Sequence, residues 1–172
     1  MEVVILSGPD DVAQVAAGEI SRLVRDRPDA VLGLATGSSP LGTYRELARS
    51  GADFSRVRGF ALDEYVGIPL EHPQSYASVI RTEVVEPLGM DPALVQVPDG
   101  RAADLVAACD EYEAAIAAAG GIDLQLLGIG ANGHIGFNEP TSSFASRTRV
   151  KTLARGTRDD NARFFSVPDE VP

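Results

Sequence analysis

Leu126–Pro140 reads LLGIGANGHIGFNEP, and its reading decides the fold. The run entering it, Ile122–Leu127, is apolar enough to be a buried parallel strand. From Gly128 to Glu139 the chain then holds four glycines, two asparagines, one histidine and one glutamate, so core gives way to chemistry at the strand's carboxyl end. Gly128, Gly130, Gly133 and Gly136 let the backbone turn tightly and approach a ligand. His134 and Glu139 ride on that turn. An imidazole, with an ordinary pKa of about 6.5, gives and takes protons near neutrality, and a nearby carboxylate can orient its ring.

Three other readings compete with a proton-transfer site. Gly128, Gly130 and Gly133 satisfy the G-x-G-x-x-G dinucleotide fingerprint, but that fingerprint opens a long helix, and here Pro140 closes the segment first. A metal site needs three or four ligands at usable spacing, whereas the soft ligands of this chain are His72, His134 and Cys109. A purely structural glycine turn would not need a histidine and a glutamate beside it.

Composition bounds the rest. With 172 residues, 44% of them hydrophobic and 23% charged, positions 1–172 read as a single globular domain. A net charge of −10 argues against nucleic acid and membrane surfaces as partners, so an anionic ligand must be met by a local positive site. One cysteine forms no internal disulfide. Met1 is followed by Glu2 and VVILS, with no basic leader and no apolar run approaching roughly 18 residues, so a cytoplasmic protein is expected.

Upstream, strands alternate with helices. Val3–Ser7 reads as a first buried strand, and Val12, Val15, Ala16, Ile20, Leu23 and Val24 recur at helical spacing up to Arg27 and Pro28. Val31–Ala35 is a second strand that empties into Thr36, Gly37, Ser38, Ser39 and Pro40 before a helix through Tyr44 and Leu47. Those small residues sit where helix amides point outward, a ready anion site. It lacks the glycine-lysine pair of a Walker loop. Val57–Leu62 is a third strand carrying Asp63 and Glu64 at its carboxyl end; on extended backbone at most one of the two faces a given site. His72 precedes a proline in a loop, and a helical stretch from Gln74 to Val85 stops before Pro87. Leu94–Val97 is a short strand. Leu105, Cys109, Tyr112, Ile116 and Ala119 line one face of a helix between Asp104 and Ala119, which makes Cys109 a core residue. After the glycine turn, Arg147, Arg149 and Lys151 alternate as on an extended segment, and Arg158 and Arg163 flank a short helix begun near Thr157. In an acidic chain these cations are the available partners for a phosphate.

GIGANGHIGFNEP, with LDEYVG at Leu62–Gly67 and ASRTR at Ala145–Arg149, resembles the glucosamine-6-phosphate deaminases along nearly the whole chain. The related 6-phosphogluconolactonases share a glycine-rich G-H turn but are not expected to continue into FNEP. The resemblance implies an α/β three-layer sandwich with a mostly parallel, Rossmann-like sheet, and conversion of glucosamine 6-phosphate to fructose 6-phosphate and ammonia. It implies no metal and no organic cofactor, a small amino sugar phosphate as partner, and either a monomer or a homo-oligomer. Asp63 would move the proton between the second and first carbons, and His134, with Glu139 in support, would open the sugar ring. Thr36, Gly37, Ser38, Ser39 and Arg163 would hold the phosphate. Ser142, Arg149 and Lys151 match an allosteric sugar-phosphate site of some hexameric members. Asn132 stands where some members carry aspartate, which implies a weaker orienting role. Family members continue for roughly half this length again, so an incomplete carboxyl end and an open sheet edge are expected. An enzyme for the galactosamine epimer and a catalytically silent sugar-phosphate-binding module are the alternatives.

Overall fold

The computed structural model describes residues 2–166 and 171–172. Among them, four strands form one parallel sheet in the order β3-β2-β1-β4: β1 (Val31–Leu34), β2 (Arg58–Ala61), β3 (Val95–Gln96) and β4 (Leu124–Gln125). Six α-helices accompany them: α1 (Pro9–Asp26), α2 (Leu41–Arg49), α3 (Tyr76–Ile80), α4 (Glu86–Leu88), α5 (Leu105–Ala118) and α6 (Arg155–Ala162). The α/β expectation holds.

Strand alternation divides the core. Leu32, Leu34 and Ala61 face a cluster with Ala17, Ile20, Val24, Tyr44, Leu47, Ile80 and Val84, so α1, α2 and the α3 region cover one side. Val31 and Phe60 point the other way onto Tyr112, Ala115 and Ile116 of α5. Right-handed crossovers require this split: β1 to β3 steps in one direction, and the return to β4 beyond β1 must place α5 on the opposite face. The reversal makes the gap between β1 and β4 a topological switch point, where open parallel sheets leave a crevice at the strand carboxyl ends.

Asp123 fastens β4 to β1. Its carboxylate accepts the Val31 amide at 2.8 Å and pairs with Arg27, and its own amide donates to the Val31 carbonyl. Gly100 is needed for space, because an added Cβ would overlap the Tyr65 carbonyl while the Gly67 amide donates to the Gly100 carbonyl at 2.9 Å.

The structure corrects several sequence expectations. Val3–Ser7 is not a buried strand: Val3, Val4 and Ile5 are 70%, 57% and 91% exposed, and no described strand lies beside them to take their backbone hydrogen bonds. The buried stripe of α1 runs through Ala13, Ala17, Ile20 and Val24, which leaves Val12 and Val15 outside. The Gln74–Val85 helix does not stop before Pro87. It widens into a π-turn at Arg81–Val85 and continues through Glu86–Leu88, where Pro87 sits in the first turn of the last segment, a position that tolerates a residue with no N–H. Cys109 lies on the face of α5 expected for it but is only half-buried. Residues 147–151 belong to no helix and no strand, and Glu113 of α5 holds the Arg147 guanidinium and the Thr148 amide and hydroxyl.

Candidate active site

The cleft at the switch point has a volume of about 590 Å3 and is lined by Thr36–Ser39, Asp63, Tyr76, Gly130, His134, Gly136 and Arg163, among others. Two loops diverge there, one leaving β1 and the other leaving β4. The β1 loop starts from an anchored point: the Tyr44 hydroxyl, buried under α2, accepts the Ala35 amide at 3.0 Å and donates to the Ala35 carbonyl at 2.8 Å. Gly37 then turns with φ +90°, a conformation that side chains disfavour, and Ser38 and Ser39 stand exposed before α2. Tyr44→Phe is expected to strand both Ala35 backbone groups and cost about 1–3 kcal/mol of stability, measured by chemical denaturation.

Asp63 and Glu64 separate cleanly. Both Glu64 carboxylate oxygens are occupied: Oε1 accepts the amides of Tyr65 and Tyr76 at 2.8 and 2.9 Å, and Oε2 accepts the Ala77 amide at 2.9 Å. Glu64 therefore secures the start of α3. Asp63 faces the cleft instead, half-buried. Desolvation pushes its carboxyl up to about 7 from 3.8, a hydrogen bond from the Phe137 amide opposes the shift, and the charge of Glu64 adds to it. A pKa near neutrality suits a group that must both take and return a proton. Gly136, with φ +56°, lets the turn pass this close, since a Cβ there would lie 2.8 Å from Asp63 Oδ2.

His134 is oriented by a relay. Glu139 accepts hydrogen bonds only, so Asn132 must turn its amide NH2 toward Glu139 Oε2, at 3.1 Å. Asn132 Oδ1 is thereby left toward His134, where the backbone amide (3.0 Å) and ring Nδ1 (2.7 Å) both reach it. An acceptor at Nδ1 puts the ring proton there and leaves Nε2 able to accept a proton. Glu139 thus acts on the imidazole through Asn132, which is the direct orienting partner. The Thr157 hydroxyl holds the Glu139 carboxyl below its ordinary value, joined by the Ala154 amide, Asn132 and the His134 charge, so Glu139 is ionised at neutrality.

Arg163, at the end of α6, is exposed to the cleft with its guanidinium carbon 4.8 Å from the Phe164 ring centroid. α6 docks through Asn161, whose amide donates to the Tyr65 hydroxyl at 2.9 Å, and through Phe165, edge-on to Tyr65. His72 is structural: its Nδ1 accepts the Gln74 amide and its ring stacks on Phe165. Arg149 and Lys151 line a second cavity of about 550 Å3 with Arg147 and Arg158, beside α5, and Ser142 is not among its lining residues. Sequence reasoning missed Thr157, Asn161 and Tyr76 as site residues. No spacing signal ties residue 157 to 139 or 161 to 65; folding alone brings them together. Among the described residues no cluster of ligating side chains could hold a metal ion.

A family model described as glucosamine-6-phosphate isomerases/6-phosphogluconolactonase matches residues 9–153. The chain is 62% identical over 175 residues to the glucosamine-6-phosphate deaminase of Pseudarthrobacter chlorophenolicus, covering all of this chain and 68% of that protein. It is 56% identical over 176 residues to the enzyme of that name from Cutibacterium acnes, covering 67% of it. The chain thus spans about two thirds of the length of these curated relatives. Among solved structures, a monomeric glucosamine-6-phosphate deaminase of the NagB superfamily superposes with a TM-score of 0.96 at 43% identity, over all of this chain and 73% of that one. The 6-phosphogluconolactonase of Thermotoga maritima gives a TM-score of 0.67 at 26% identity, over 78% of this chain and 62% of that one.

Proposed function

Because the chain belongs to the family of glucosamine-6-phosphate isomerases and 6-phosphogluconolactonases, we propose that its cleft converts glucosamine 6-phosphate and water to fructose 6-phosphate and ammonia. The observation that carries this reading is the pairing, in one cleft, of a base-ready imidazole with a carboxyl group whose pKa lies near 7. Lactone hydrolysis asks only for an activated water. Moving a hydrogen from one carbon to its neighbour asks for a second group that can take a proton and return it.

In the proposed sequence, His134 Nε2 takes the proton of the anomeric hydroxyl and the ring oxygen is protonated as the pyranose opens. Asp63 removes the proton on the second carbon to give an enolamine, then delivers a proton to the first carbon. The imine left at the second carbon adds water, the carbon–nitrogen bond breaks, and ammonia leaves with the ketose. Thr36–Ser39 and Arg163 hold the phosphate, so binding energy remote from the reacting carbons positions them. The reading assigns Arg149 and Lys151 to a regulatory sugar-phosphate site in the second cavity, which Ser142 does not line. It also assigns the enzyme to amino sugar catabolism in the cytoplasm, where phosphorylated sugars are retained; among the described residues no helix is long and apolar enough to cross a membrane.

The test offers the protein glucosamine 6-phosphate and 6-phosphogluconolactone side by side. Ammonia from the first and no acceleration of the second is the expected result, and lactone hydrolysis without ammonia would assign the cleft to the other branch of the family.

A further inference from the structure

We propose that Thr157 is a positioning residue for the proton relay, tying helix α6 to the carboxylate that orients His134. Thr157 is 2% exposed, in the first turn of α6. Its hydroxyl donates to Glu139 Oε1 at 2.6 Å, beside the Ala154 amide at 3.0 Å on the same oxygen. The other carboxylate oxygen, Oε2, receives Asn132 at 3.1 Å. Glu139 is therefore gripped from two sides, by the start of α6 and by the amide that faces the imidazole.

The grip has a direction. The Thr157 proton is committed to Glu139, so the oxygen presents a lone pair to His134 Nδ1, 3.4 Å away, on the same side as Asn132 Oδ1. Both acceptors favour one tautomer, with the proton on Nδ1 and Nε2 open to the cleft. Without the hydroxyl, Glu139 keeps the Ala154 amide on Oε1 and Asn132 on Oε2 but loses its shortest hydrogen bond, so the carboxylate is held less firmly. The Asn132 flip is then fixed less firmly too, and a flipped amide would offer NH2 to the imidazole and force the proton onto Nε2. α6 also ends at Arg163, so the helix that carries the phosphate-side cation is the helix that seats the relay. A misplaced α6 would then disturb both ends of the site.

The kinetic arm of the test rests on the deaminase reading; the spectroscopic arm does not. Thr157→Val is close to isosteric and removes only the hydroxyl, and Thr157→Ala carries the same test should the valine disturb folding. Either variant is expected to lower kcat about tenfold, a fraction of the roughly 10² to 10⁴ available from an oriented acid-base group, with KM within about twofold of wild type. Thr157→Ser restores the hydroxyl and is expected to recover kcat to within about threefold. In the ligand-free chain, the imidazole nitrogen spectrum of His134 should report one Nδ1–H tautomer in wild type and Thr157→Ser, and a mixture in Thr157→Val. A Thr157→Val protein with wild-type kcat and a single tautomer overturns the proposal, as does a Thr157→Ser protein as impaired as Thr157→Val. Absence of ammonia from the wild-type chain would sink the deaminase reading instead, while the spectra would still decide the role of Thr157.

Discussion

Asp63→Asn is expected to melt at a higher temperature than wild type at pH 8 while losing ammonia release by about 10³-fold, within the range of a removed acid-base group. Both effects have one cause. Desolvation raises the folded-state pKa of Asp63 to about 7, against an ordinary value of 3.8, so between those values the folded protein binds more protons than the unfolded one. Stability contributed at this position is therefore present below pH 4 and lost as pH rises through 7. Above 7 the fold carries an ionised carboxylate that would be better solvated in the unfolded chain. Asparagine has the same shape, can still accept the Phe137 amide and has no charge to desolvate. Its advantage should be about 1–3 kcal/mol at pH 8, less than the full value of the shift because water in the cleft screens the carboxylate. Calorimetry at pH 8, 6 and 4 should show the gain shrinking toward zero. A variant equally destabilised at every pH would mean that Asp63 is a structural residue.

Gly130→Ala should lower kcat by about 10² or more without unfolding the protein. A Cβ on Gly130 would overlap Nε2, Cε1 and Nδ1 of His134, because the imidazole lies directly on that backbone. The Gly130 amide also donates to the His134 carbonyl at 2.8 Å, and the Gly133 amide donates to the Gly130 carbonyl at 2.9 Å, so the turn cannot open to make room. The ring is the part free to move. Once it moves, Nδ1 leaves Asn132, and the loss should approach that of His134→Ala, about 10² or more in kcat. A double variant should be no worse than His134→Ala alone, since both remove one interaction. Wild-type turnover by a folded Gly130→Ala protein would contradict this seating of the imidazole.

The strands that position the cleft were legible because buried parallel strands are short apolar runs; VLGL leads directly into the lining residues Ala35–Ser39, and GFALD ends on Asp63. VVILS has the same composition and forms no strand. An apolar run states what a segment could bury, while pairing depends on a neighbour that one segment's composition does not describe. The site was legible to the extent that each loop announces its own chemistry: hydroxyls and glycine before α2, an acid after β2, a histidine after β4. The cleft gathers Thr36–Ser39, Asp63, His134 and Arg163 from loops far apart in sequence. The choice between Asp63 and Glu64 was not legible from the strand, since it is settled by α3 amides a dozen residues away that consume Glu64. Thr157 stayed hidden for the same reason. A threonine at the start of a helix looks like capping chemistry until the fold brings Glu139 against it.

The most direct measurement is to quantify ammonia and fructose 6-phosphate together as glucosamine 6-phosphate is consumed at pH 7.5, for wild type and for His134→Gln. The two products should appear one to one with wild type, and both should fall by about 10² or more in the variant. A folded wild-type chain that binds the substrate and releases no ammonia, or a His134→Gln protein that turns over as fast as wild type, would contradict the assignment of the cleft.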